Sequence, residues 1–151
     1  MGVSPMSILI TRMSEALMPQ LEITMANALE VGKKLVELCK QHKYDEAMNT
    51  LYSPNIVSIE AGTPDPKMSP RSEGIAAVKG KADWWQKNHE IHSAKIEGPW
   101  PHGDRFIVRF TYDVTPKAGH MAGKRMTMDE AALYTVKDGK VVHEEFFYSM
   151  G

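Results

Sequence analysis

Apolar residues recur along this chain in two rhythms, and the change from one to the other divides it. From Leu21 to about Gln41, Met25, Ala28, Leu35, Leu38 and Cys39 fall at three- and four-residue steps, the repeat of one helix face. A shorter helix follows, with Tyr44, Ala47, Met48 and Leu51 on one side and Pro54 just beyond its end. "NIVSIEA" (55–61) alternates and is rich in β-branched residues, which predicts a strand. The three prolines and two glycines of "GTPDPKMSPRSEG" (62–74) predict a long loop. A third helix carries Ile75, Val78, Ala82, Trp85 and His89 as one continuous stripe. Strands are expected after it, over about 91–98, 104–115, 124–136 and 140–149, with the Asp-Gly of "VKDGK" as a hairpin signal. Residues 1–20, Met-rich and weakly amphipathic, suit an arm or short helix, and 21–151 make one domain.

Three helices around one early strand, then an antiparallel run, predict an α+β fold. The sheet must curl over the helices to bury their stripes, which gives a cone with a cavity at its wide end. Composition narrows the function. A formal net charge of −1 argues against a nucleic-acid partner, which would call for a basic patch. The single Cys39 cannot form an internal disulfide and fits a reducing compartment. No stretch reaches the roughly 18 apolar residues of a membrane span. The N-terminal apolar run lacks a basic region ahead of it, so no signal peptide is expected and the chain reads as cytoplasmic.

Candidate chemistry begins with the closing "KVVHEEFFYSMG", where charges interrupt an otherwise ordinary strand. Simple alternation sends His143 and Glu145 to one face with Val141 and Phe147, and Glu144 to the other with Val142 and Phe146. Either way a carboxylate shares the buried face. Glu130 lies on one face with Met126, Met128, Ala132 and Tyr134, where burial would raise its pKa into a range useful for proton transfer. His89 closes the third helix's stripe beside Trp85, where two readings stand, a core residue or an acid. Trp84, Trp85, Tyr134 and Phe147 suit a flat apolar ligand, although aromatics are core residues first. "HEIH" is a poor metal motif, because helix gives way to strand between its histidines and no cysteine completes a set; no metal or other cofactor is expected.

The early "LYSPNIVSIEA" after a helix pair and the late "YTVKDGKVVHEEFFY" resemble the nuclear-transport-factor-2-like fold, in particular its SnoaL-like branch. "GKADWWQKNHEIHSAKIEGPWPHGDRFIVRF" is similar to a subfamily of that branch. The resemblance covers the chain from about residue 21 and implies a cone-shaped, strongly curved antiparallel sheet packed on three helices. Ketosteroid isomerases, whose carboxyl groups are tuned to different pKa values, keep their general base near the end of the first strand, where Glu60 stands. Relatives place a second acid where this chain has Ala132, and Glu130 would reach the same face. Relatives also direct inward the face that carries Val141, His143 and Glu145.

Two readings remain open on the sequence. One is a cofactor-free acid/base enzyme, an isomerase, cyclase or hydratase acting on a small apolar substrate, with Glu60 or Glu130 as base and His89, His143 or Tyr134 as acid or oxyanion donor. The other is a non-catalytic domain that binds a small hydrophobic ligand or scaffolds a dimer. The mixed face of Arg105, Ile107, Arg109 and Thr111 suits a symmetric homodimer.

Overall fold

The structure, a computed structural model, describes residues 18–149, with side chains from residue 28 onward. The arm expected over 1–20 lies outside the described residues apart from its last three, which already belong to a helix. That helix, α1 (Met18–Lys40), buries Ala28, Val31, Leu35, Val36 and Cys39, an unbroken helical stripe. His42, in the left-handed region at φ 58°, ends it, and the Lys43 amide turns back to the Leu38 carbonyl at 2.8 Å. Helix α2 (Tyr44–Leu51) buries Ala47, Met48 and Leu51.

Strand β1 (Tyr52–Ile59) follows, then the proline-rich loop and a short strand, β2 (Arg71–Glu73), where only loop was expected. Helix α3 (Ile75–Lys87) leads into β3 (His89–His102), β4 (Arg105–Pro116), β5 (Met126–Lys137) and β6 (Lys140–Phe147). Asp138 and Gly139, both at positive φ, make the tight turn between β5 and β6 that the Asp-Gly pair predicted.

The six strands form one open sheet in the order β2-β1-β6-β5-β4-β3. The sheet is antiparallel, as expected, at every pairing but one: β1 runs parallel to β6. The early strand therefore joins the sheet beside the last one. The sequence between them forms the crossover that a parallel pair needs.

On β4, Phe106, Val108, Phe110, Tyr112 and Val114 face the core, and their alternation is regular. On β5 the matching face is Met126, Met128, Glu130, Ala132, Tyr134 and Val136. The helices close over this face, α1 so tightly that a Cβ added at Gly32 would lie 2.8 Å from Pro99 Cβ and 3.1 Å from the Phe106 ring. Gly32→Ala should cost about 1–2 kcal/mol, since overpacking of about 1–3 kcal/mol exceeds the helix-propensity gain of up to about 1. A chemical melt measures it, and a stabilised variant would show that α1 can move off the sheet. Among the described residues no helix is long and apolar enough to cross a membrane.

Candidate active site

A bulge decides which acids enter the core. Thr135 pairs with His143, but Val136 pairs with Val141, so Val142 is one residue too many on β6. Val141 and Glu144 consequently face the same way, Glu144 opposite buried Tyr134, and both are almost wholly buried. His143 and Glu145 pair with Thr135 and Leu133, which belong to the other face of the sheet. The expected inward face of β6 is thus corrected: strict alternation fails at the bulge, and Glu144 replaces Glu145 and His143. Phe147, opposite Ala131, is also on the outer face and half exposed.

Glu144 is only 2% exposed. Ser58, its partner across the parallel pair β1–β6, donates its hydroxyl to Oε1 at 2.7 Å, and Tyr52 donates to Oε2. Burial raises its pKa, opposed by the Tyr52 hydrogen bond, by the charge of Lys81 and by Ser58. Lys81 stands on the flank of α3, one turn beyond buried Val78. Its ammonium donates both to Ser58 Oγ and to Glu60 Oε1, and lies 4.9 Å from the centre of the Phe146 ring. Glu60, just past the end of β1, also accepts the Tyr148 hydroxyl on Oε2 at 2.9 Å. The side chains of Lys81 and Glu60 are 24% and 27% exposed, so this pair marks where the core opens to solvent.

Glu130 sits at the same opening. No hydrogen bond or ion pair reaches its carboxyl among the described residues. Burial, the first cause, and the charge of Glu60, the second, push its pKa up to about 7, with Lys81 pulling the other way. Three carboxyls and one ammonium thus share this end of the core, and one of the acids titrates near neutral pH. That supplies a proton donor and a proton acceptor in one place. The phenols of Tyr52, Tyr112 and Tyr134 are raised well above their ordinary value, chiefly by burial, and stay protonated.

The other expected site residues are dispersed. His89 stacks on Trp85 at 4.6 Å and bonds through Nδ1 to the Trp85 carbonyl at 2.8 Å, which fixes its ring at the end of α3. Trp85 also packs on Tyr112, whereas Trp84 is half exposed. Tyr134 is fully enclosed and stacks on Phe106. Arg71 pairs with Glu73, and Glu60 with Lys81. Of the expected residues, Glu60 and Glu130 come together. Ser58, Lys81, Glu144 and Tyr148 join them unforeseen, and only the fixed sheet register could have revealed Glu144. Among the described residues, no group of three histidine, cysteine or acidic side chains is arranged to hold a metal ion.

Solved structures share this architecture. A candidate SnoaL-like polyketide cyclase of Mesorhizobium loti, also labelled a carbohydrate phosphatase, is 44% identical, with a TM-score of 0.72 over 80% of this chain and 97% of that one. A candidate isomerase of Bacillus subtilis is 17% identical, with a TM-score of 0.63 over 82% and 87% of the two chains. A candidate hydroxylase of Streptomyces galilaeus is 19% identical, with a TM-score of 0.59 over 83% and 91%. These last two bear on the fold alone. No curated protein matches the sequence. The family profile described as the SnoaL-like domain matches residues 25–148, and the chain belongs to that family.

Proposed function

We propose that the protein is a cofactor-free acid/base enzyme acting on a small, neutral, largely apolar molecule. Glu130 moves the proton, and the Lys81–Glu60 pair with Tyr148 forms the polar wall beside it. The observation that carries this reading is Glu130 itself, an unpartnered carboxyl on the β5 face that carries Met128 and Ala132, titrating near neutrality beside a cation. A carboxylate with a fixed hydrogen-bonding role is held by donors, as Glu144 is. The charge inventory favours a neutral ligand, because an anion would meet three carboxyls for one ammonium. The Mesorhizobium loti relative's name, a polyketide cyclase, is compatible with proton-transfer chemistry at carbon.

The test is solvent deuterium exchange into small neutral ketones, followed by NMR. Catalysed exchange with a pH–rate inflection near 7 is expected. A panel that binds without exchanging would support the second reading, a ligand-binding domain, which draws on the buried Ala132 in the place where relatives keep an acid.

The same reading includes a two-fold dimer through the outer face of the sheet. Trp100, Ile107 and Phe147 are large apolar side chains exposed there. They surround the Arg109–Asp129 ion pair, at 2.6 Å, whose two charges suit a face that meets its own copy. Light scattering should give twice the chain mass, and Ile107→Glu should return the monomer. A wild-type protein monomeric at high concentration would remove the dimer.

A further inference from the structure

The partly exposed opening at Lys81 and Glu60 is tied to the closed core by one unbroken line of side chains. Tyr148 donates to Glu60, Lys81 donates to Glu60 and to Ser58, Ser58 donates to Glu144, and Tyr52 donates to Glu144 from the other side. The direction of each link follows from the number of hydrogens available. Ser58, itself fully buried, has a single hydroxyl hydrogen, and Glu144 takes it. The serine's lone pairs are then left facing Lys81, which can only donate. Without an acceptor at 144, the same hydroxyl could turn towards Glu60 or a carbonyl and would no longer hold the ammonium.

We propose that Glu144 is a positioning residue for the opening: acting through Ser58, it fixes the direction of the Lys81 ammonium and, with it, the Glu60 carboxylate. Two of the three ammonium hydrogens are committed to Ser58 and Glu60, which leaves the third uncommitted among the described residues. This rests on the acid/base reading given above but concerns a residue that never meets the substrate. A buried carboxyl in an apolar core is costly unless paired, and a purely structural role could be filled by a leucine of similar volume. Glu144 instead sits within electrostatic reach of Lys81, Glu60 and Glu130 at the opening and of Tyr52, Tyr134 and Cys39 in the core.

The test observes Lys81 directly, in full-length protein labelled with nitrogen-15. An ammonium held by two acceptors exchanges its protons slowly enough to give a separate signal, which Lys81→Arg identifies by removing it. Ser58→Ala and Glu144→Leu should each speed that exchange at least tenfold while retaining a cooperative melt. Glu144→Gln, nearly isosteric and still an acceptor for Ser58, should keep the slow signal. It should also lose the inflection that Glu144 imposes on the Lys81 chemical shift as pH is varied. That inflection separates positioning from mere packing, and the Gln variant preserves the test if Glu144→Leu fails to fold. An exchange rate in Ser58→Ala equal to the wild-type rate would overturn the proposal, as would a wild-type titration with no inflection that Glu144→Gln removes. Glu130→Gln should leave the Lys81 signal slow. Ketone exchange lost in every protein with the Lys81 behaviour intact would therefore count against the acid/base reading and not against the role of Glu144.

Discussion

Glu130→Gln is expected to abolish turnover and, at pH 8, to make the protein more stable. The two effects have one cause. In the folded chain the Glu130 carboxyl titrates at about 7, against an ordinary value of 4.5, because burial and the nearby Glu60 charge both resist its ionisation. A raised folded pKa gives stability that is fully present below the unfolded value and lost as pH rises through the folded one. The window therefore runs from about pH 4.5 to about pH 7. The gap between those values, at about 1.4 kcal/mol per pH unit, is worth about 3 kcal/mol. Glutamine cannot ionise, so its stability should be flat across that window. Relative to wild type it should gain about 3 kcal/mol between pH 4.5 and pH 8. The same substitution removes a group at the opening poised to gain and lose a proton at neutrality, and loss of a general acid/base costs about 10²- to 10⁴-fold in rate. Denaturant melts at pH 5 and pH 8 together with ketone exchange read both outcomes. A Gln variant weaker than wild type at pH 8 would make Glu130 a structural carboxylate and end its assignment.

Much of the fold was legible because periodicity is a local property. The α1 stripe, the alternation of β4 and β5 and the Asp-Gly turn are written within a few residues of one another, and each element formed where its pattern lay. What depended on distant pairing was not legible. The parallel partnership of β1 and β6 joins residues some ninety positions apart, and Arg71–Glu73 becomes a strand only because Val57, Ser58 and Ile59 lie beside it. The site divides in the same way. Glu60 and Glu130 stood out as acids on regular strands, and the structure sets them at one opening. The β6 acids were assigned by strict alternation, and the single extra residue at Val142 exchanged the faces of Glu144 and Glu145. No composition signal marks such a bulge. Lys81 was missed for another reason: a lysine on a helix flank is ordinarily a solvated charge, and only the position of α3 over Ser58 and Glu60 sets this one apart.

Lys81 is also where the second large effect is expected. Its ammonium is the cation that opposes the upward shifts of both Glu130 and Glu144, and it is the direct partner of Glu60. Lys81→Met keeps the stem and a polarisable contact with Phe146 while deleting the charge. Three carboxyls would then share the opening with no counter-ion among them. Exposed ion pairs are worth about 0–1 kcal/mol, and breaking a buried one costs about 3–5. A pair about a quarter exposed lies between these limits, so a loss of about 2 kcal/mol is expected at pH 8. The sign with pH is opposite to that of Glu130→Gln. The cation stabilises ionised carboxylates, so its contribution is present while they are charged and is lost as they protonate on acidification. The deficit of Lys81→Met should accordingly shrink at pH 5. Adding Glu130→Gln to Lys81→Met should recover part of it, since one of the repelling acids is gone, and the double-mutant cycle should show coupling. Melts of the four proteins at the two pH values decide the matter. A deficit equal at pH 5 and pH 8, with additive single effects, would mean that Lys81 contributes packing alone and that the carboxyls at the opening do not sense one another.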